Sequence, residues 1–168
     1  MPGVFIASDV FVDAAEAQAK ALGVPAARFF VAHPIQDRTD EEALVVARGD
    51  LVFALLNLYP YNSGHLMLVP FRHVASYDEL TPAEAAEIAG LTQHALRALR
   101  HVSGAQGFNV GMNLGVVGGA GIAAHLHQHV VPRWGGDTNF MPVVGHTRVL
   151  PQLLPDTRAL LAQAWSEV

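Results

Sequence analysis

The stretch from Thr81 to Gly104 does most to limit how this chain can fold. Thr81-Pro82-Ala83-Glu84 is a helix start: a threonine cap, proline at the first helical position, and glutamate two residues further on. Gly104 is a stop signal. Between them Ala85, Ile88, Ala89, Leu91, Leu96, Leu99 and Val102 fall on one side at helical spacing. The pattern predicts a helix reaching about Val102. Short β-rich runs flank it. Ala43–Ala47 and Leu51–Asn57, separated by Arg48-Gly49-Asp50, predict a hairpin. Tyr59-Pro60-Tyr61-Asn62-Ser63-Gly64 is a dense turn signal, followed by a strand over His65–Val69 stopped by Pro70. Gly107–Asn113 and His125–Val131 predict two more strands, the second ended by Pro132, and the tail from about Pro155 to Trp165 is helical in pattern. The expected architecture is an α+β domain: a mostly antiparallel sheet of about five strands, one long helix and a C-terminal helix.

At 168 residues the chain predicts a single domain over 1–168. Residues 9–22 are alanine-rich and predict a peripheral helix. Residues 24–42, with Pro25, Pro34 and a polar run from Gln36 to Glu42, predict a loop. The core is expected over 43–165. Hydrophobic content of 51% against 15% charged residues fits a compact globule rather than a disordered chain. A net charge of −5 disfavours nonspecific nucleic-acid binding. There are no cysteines, hence no disulfide framework and no thiolate metal site. No signal peptide or membrane-spanning run is visible, so the expected location is the cytoplasm.

Three of the nine histidines lie within His125-Leu126-His127-Gln128-His129. On a strand they would share one face, neighbours roughly 7 Å apart along the chain. Such a face fits three descriptions: a histidine-rich surface, a metal site in His-x-His spacing, or a nucleophile with helpers. Neutral imidazole carries an unprotonated nitrogen at neutral pH, which suits attack at phosphorus. The charge that develops then needs hydrogen-bond donors. Gly118-Gly119-Ala120-Gly121 lies just upstream, and glycine-rich backbone can turn N–H groups onto a phosphate. That loop, with no cysteine and no carboxylate nearby until Asp137, moves the balance toward phosphorus chemistry.

His125-Leu126-His127-Gln128-His129-Val130-Val131 resembles the signature of the histidine triad (HIT) family, His-x-His-x-His followed by two apolar residues. Three further blocks are similar to that family in the same order. These are Asn62 to Pro70, followed by His73; Phe108 to Asn113; and Pro132 to Phe140, the last similar to a branch close to bacterial diadenosine tetraphosphate phosphorylases. The resemblance covers about Ala43 to Trp165. It implies a HIT-like fold and nucleotidyl transfer or hydrolysis at the α-phosphate of a purine nucleotide or dinucleotide. Inorganic phosphate or water would be the acceptor, and no cofactor is implied. His127 would be the nucleophile and His129 a contact to the α-phosphate or bridging oxygen. His125 would be a support paired with His65 across the sheet. Asn57, eight residues before His65, would hold ribose hydroxyls; Phe53 would line the base pocket. Asn113 would donate its amide to phosphate, and Gly119, Ala120 and Gly121 their backbone N–H groups. Trp134 would stack on a second base or seal the domain. A phosphoramidate hydrolase and a weakly catalytic nucleotide-binding regulator are the alternatives. Relatives often carry Gln, Ser or Thr where Gly121 and Ile122 stand. Some carry a Cys-x-x-Cys zinc site where this chain reads Arg28-Phe29-Phe30-Val31, so no such zinc is expected. The resemblance also implies a homo-oligomer, with Val149–Trp165 apolar enough to contribute.

Overall fold

The computed structural model describes residues 39–137 and 152–168. The predicted helix over 9–22 and most of the loop over 24–42 lie outside the described residues. Strands β1 (Val45–Arg48), β2 (Val52–Leu56), β3 (Leu66–Pro70), β4 (Gly107–Met112) and β5 (Gln128–Arg133) form one five-stranded sheet in the order β1-β2-β3-β5-β4. Every neighbouring pair is antiparallel. Helix α1 (Pro82–Ser103) connects β3 to β4, and helix α2 (Leu154–Trp165) follows β5. The α+β class and the five-strand sheet agree with the sequence reading.

Helix α1 begins where its capping residues place it. The Thr81 hydroxyl accepts from Glu84 N–H and the Glu84 carboxylate accepts from Thr81 N–H at 2.7 Å, a reciprocal capping box with Pro82 in the first turn. It ends at Gly104, whose φ of 61° is left-handed and whose N–H donates to the Arg100 carbonyl. Its buried face is the predicted one with two changes, Leu91, Leu96 and Val102 being partly buried against the core. Ile88 and Leu99 are buried as expected and Ala89 is exposed, while Ala95 and Ala98 lie at the centre of the contact. Small alanines at these two positions let the helix approach the sheet closely.

Alternation along β2 divides its five buried residues between two faces. Val52, Ala54 and Leu56 join Leu66, Leu68 and Val130 under Ile88, Leu99 and Leu161 of the two helices. Phe53 and Leu55 join Val45, Met67 and Val69 on the opposite face. Register then decides where the histidines go. Met67 is paired with His129, which places His129 on the face away from the helices, while Gln128 and Val130 point toward them. Gln128 donates from there to the Thr92 hydroxyl of α1.

Pro70 is the last residue of β3, where the sequence reading ends that strand, and Pro132 lies one residue inside the end of β5. Pro70 is paired with Val52 and Pro132 with Phe108. In a strand, the N–H and C=O of one residue point to the same side. The Pro70 carbonyl accepts from His125 and the Pro132 carbonyl from Asn62, so each missing N–H falls on a side where no strand ladder continues. This also corrects the triad. Pro70 offers β5 no N–H, so the ladder starts only at Gln128. His125 and His127 precede the strand, on a segment held by Leu126 N–H donating to the Val74 carbonyl at 2.7 Å.

Candidate active site

His65 leaves a turn at Gly64, where φ is 74°, and is completely buried. Its Nδ1 receives the Tyr61 N–H at 3.0 Å and the Asn57 side-chain amide at 3.4 Å. An atom that accepts twice carries no proton, so the ring proton sits on Nε2 and is donated to His129 Nδ1 at 2.9 Å. His129 is thereby an acceptor at Nδ1 and a donor at Nε2. The Tyr61 ring lies over both imidazoles, 4.6 Å from His65 and 5.6 Å from His129 between centroids.

His127 is fixed the opposite way. Its Nδ1 lies 2.9 Å from the His125 backbone carbonyl, which can only accept, so Nδ1 carries the proton and Nε2 keeps its lone pair. The ring stands edge-on to His129, centroids 4.9 Å apart. His125 donates from Nε2 to the Pro70 carbonyl at 3.0 Å, and its Nδ1 faces His73 Nδ1 at 3.2 Å. The expected pairing of His125 with His65 is therefore corrected: His65 pairs with His129, and His125 with His73. The cause is register: with Met67 opposite His129, His65 lies beside His129, and His125 lies at the other end of β3, near Pro70 and His73.

Burial holds these rings neutral. It pushes His125 down to about 4 and His127 below its ordinary value, the latter opposed by the bond to the His125 carbonyl. Burial, and after it the neighbouring His127, bring His129 to about 4. Glu84 is forked to Arg72, and Asp137 accepts from Arg133 and Asn62. Among the described residues no group of three or more His, Asp or Glu side chains is placed to share a metal ion.

The remaining predicted site residues fall into two groups. Asn57 is next to His65, but both ends of its amide are used inside the protein, Oδ1 accepting from Tyr59 N–H at 2.9 Å. A ribose contact would use the second N–H or the second Oδ1 lone pair of the amide. Phe53 is buried and stacked on Phe71 at 5.1 Å in the second apolar cluster. In the glycine loop, Gly119 N–H donates to the Val116 carbonyl and Ala120 N–H to that of Gly115. These two donors close the loop's own turn and do not point to a phosphate as expected, a correction that leaves Gly121 at the exposed end. Asn113 bonds the Gly119 carbonyl at 3.5 Å. Trp134 donates its indole N–H to the Ser103 carbonyl at the end of α1, so the ring fastens β5 to that helix. The sequence reading gave no role to His73, Tyr61 or the Pro70 carbonyl. His73 had a legible signal, a histidine three residues past a strand proline. The Tyr61 N–H and the Pro70 carbonyl act as backbone atoms, which side-chain identity does not reveal.

The HIT domain family pattern matches residues 38–136. A Mycobacterium tuberculosis protein named AP-4-A phosphorylase is 58% identical over 132 residues, 79% of this chain and 68% of that protein. The asymmetrical bis(5'-nucleosyl)-tetraphosphatase of Schizosaccharomyces pombe is 31% identical over 93 residues, 55% of this chain and 50% of that protein. Among solved structures, a Zn-bound histidine triad family protein from Mycobacterium smegmatis superimposes with a TM-score of 0.62 at 24% identity, covering 74% of this chain and 84% of that one.

Proposed function

Because this chain belongs to the HIT family, we propose that it is a nucleotidyl-transferring enzyme that cleaves dinucleoside polyphosphates, diadenosine tetraphosphate first among them, at the α-phosphate. One observation carries the reading. The His125 carbonyl holds the proton of His127 on Nδ1 and leaves Nε2 as the nucleophile. A relative named for diadenosine tetraphosphate phosphorolysis, 58% identical, supports the substrate class.

In this reading the His127 Nε2 lone pair forms a bond to the α-phosphorus while the bond to the bridging oxygen breaks, and the nucleoside polyphosphate leaves with that electron pair. The imidazole keeps its Nδ1–H on the His125 carbonyl, so positive charge on the nucleotidyl-histidine meets a fixed dipole. His129 presents its Nε2–H to the phosphate oxygens, and Asn113 and Gly121 are assigned to the same phosphate. A polyphosphate leaves readily, so a strong general acid is not demanded. Water or inorganic phosphate then attacks the phosphorus and the P–N bond breaks. His65 and Asn57 orient His129, and residues 43–165 form the domain that houses the site. Among the described residues no helix is long and apolar enough to cross a membrane; the reading assigns the protein to the cytoplasmic nucleotide pool, as a homo-oligomer.

Incubation with diadenosine tetraphosphate, with and without phosphate, tests the reaction. ADP plus ATP appearing only with phosphate means phosphorolysis, and AMP plus ATP means hydrolysis. Nucleotide binding with no products would instead favour a regulatory protein, to which the missing polar side chains at Gly121 and Ile122 point. His127→Ala is expected to abolish turnover while nucleotide still binds in equilibrium dialysis; full activity in that variant sinks the mechanism.

A further inference from the structure

His73 is exposed, and the histidine it touches, His125, is buried. The direction of their hydrogen bond follows from its neighbours. The Pro70 carbonyl can only accept, so His125 carries its proton on Nε2 and is an acceptor at Nδ1. The 3.2 Å contact with His73 Nδ1 therefore has His73 as donor.

The same dipeptide grips the same peptide unit twice. The amide between His125 and Leu126 is one rigid plane. Its N–H donates to the Val74 carbonyl at 2.7 Å, and its C=O accepts the His127 proton at 2.9 Å. His73 thus holds the ring attached to this plane, and Val74 holds the plane itself. The turn that carries both is clamped. Arg72 forks onto both Glu84 oxygens at 2.8 and 2.7 Å and also donates to the Glu79 carbonyl, while the Glu79 carboxylate accepts from Ala75 and Ser76 N–H.

We propose that His73 is a positioning residue for the nucleophile: its Nδ1–H, donated to His125 Nδ1, keeps the His125 carbonyl aimed at His127 Nδ1–H. This rests on the reading of His127 above. Without that donor His125 loses the bond that holds its Nδ1 in place, gains a reason to rotate or exchange tautomer, and the carbonyl that selects the His127 tautomer moves with it.

The test compares His73→Leu with His73→Asn. Asparagine places an amide nitrogen two bonds beyond Cβ, as Nδ1 is placed, and restores the donor. His73→Leu is expected to lower kcat about tenfold or more with KM within about twofold, and His73→Asn to recover most of it. Ring-nitrogen NMR of the substrate-free protein gives a second readout. His125 Nδ1 should lose its hydrogen-bonded shift in His73→Leu and regain it in His73→Asn, and the His127 tautomer should become mixed only in the leucine variant. The proposal is overturned by wild-type kcat in His73→Leu, by a rise in KM alone, by equal losses in both variants, or by unchanged ring-nitrogen signals. If the wild-type protein does not turn over dinucleotides, the proposed function fails, but the ring-nitrogen spectra still decide the role of His73.

Discussion

At the scale of single residues, protonation is the controlling variable, and the signs can be worked through. The folded protein holds His125 and His129 near 4 and His127 below 6.5, so all three are neutral at neutral pH. A nucleophile kept neutral by burial remains competent in mild acid. The acid limb of kcat should therefore lie below pH 6.5, and a pH–rate profile that already falls through 7 would contradict it. Stability responds in a related way. As pH drops through 6.5 the unfolded chain binds protons on His125 and His129 and the folded chain does not, so unfolding is increasingly favoured from about pH 6.5 to about 4, with no further loss from these two below that; His127 acts in the same direction. Glu84 acts lower. Its bonds to Arg72 hold its carboxyl near 2, so the stability it contributes persists above about 4.5 and is lost as pH falls toward 2. Urea denaturation measured at pH 7, 5 and 3 separates the two windows.

At the scale of elements, the sequence was informative where local chemistry decides the outcome. Thr81, Pro82, Glu84 and Gly104 mark both ends of α1 because caps act within one turn. Gly104 can be tested directly. A Cβ there meets nothing within 4 Å, so Gly104→Ala has only the left-handed φ to overcome and should destabilise by about 1–2 kcal/mol with activity intact, read from thermal melts and initial rates. Gly118 is the contrasting case, since a Cβ there would run into the Leu114 carbonyl. The histidine motif was legible as a pattern and its pairing was not. Strand alternation predicted three rings on one face, but Pro70 ends the ladder early, and a turn residue 52 positions upstream supplies the partner of His125. A missing N–H on a neighbouring strand leaves no mark within the motif itself. Asn57 shows the same limit: its spacing to His65 was visible, but not that its amide would be used on a histidine and a turn.

At the scale of the whole molecule, the sheet is a partition. The two helices cover one face through Leu56, Leu66, Leu99 and Leu161, and the histidines gather on the other. Leu161→Ala should open a cavity between α2 and the sheet and cost about 2–5 kcal/mol, with kcat unchanged at a temperature where the variant remains folded. A drop in kcat larger than the loss of folded protein would show that the two faces are coupled. β3 and β5 send alternate residues to the two sides, so neighbouring codons serve different masters. Leu66, Leu68 and Val130 answer to packing, while His65, Met67 and His129 answer to the opposite face. Such a backbone is evolvable in a particular sense: a lineage can alter residues on the histidine face and try new substrates while the inherited packing on the helix face is left alone.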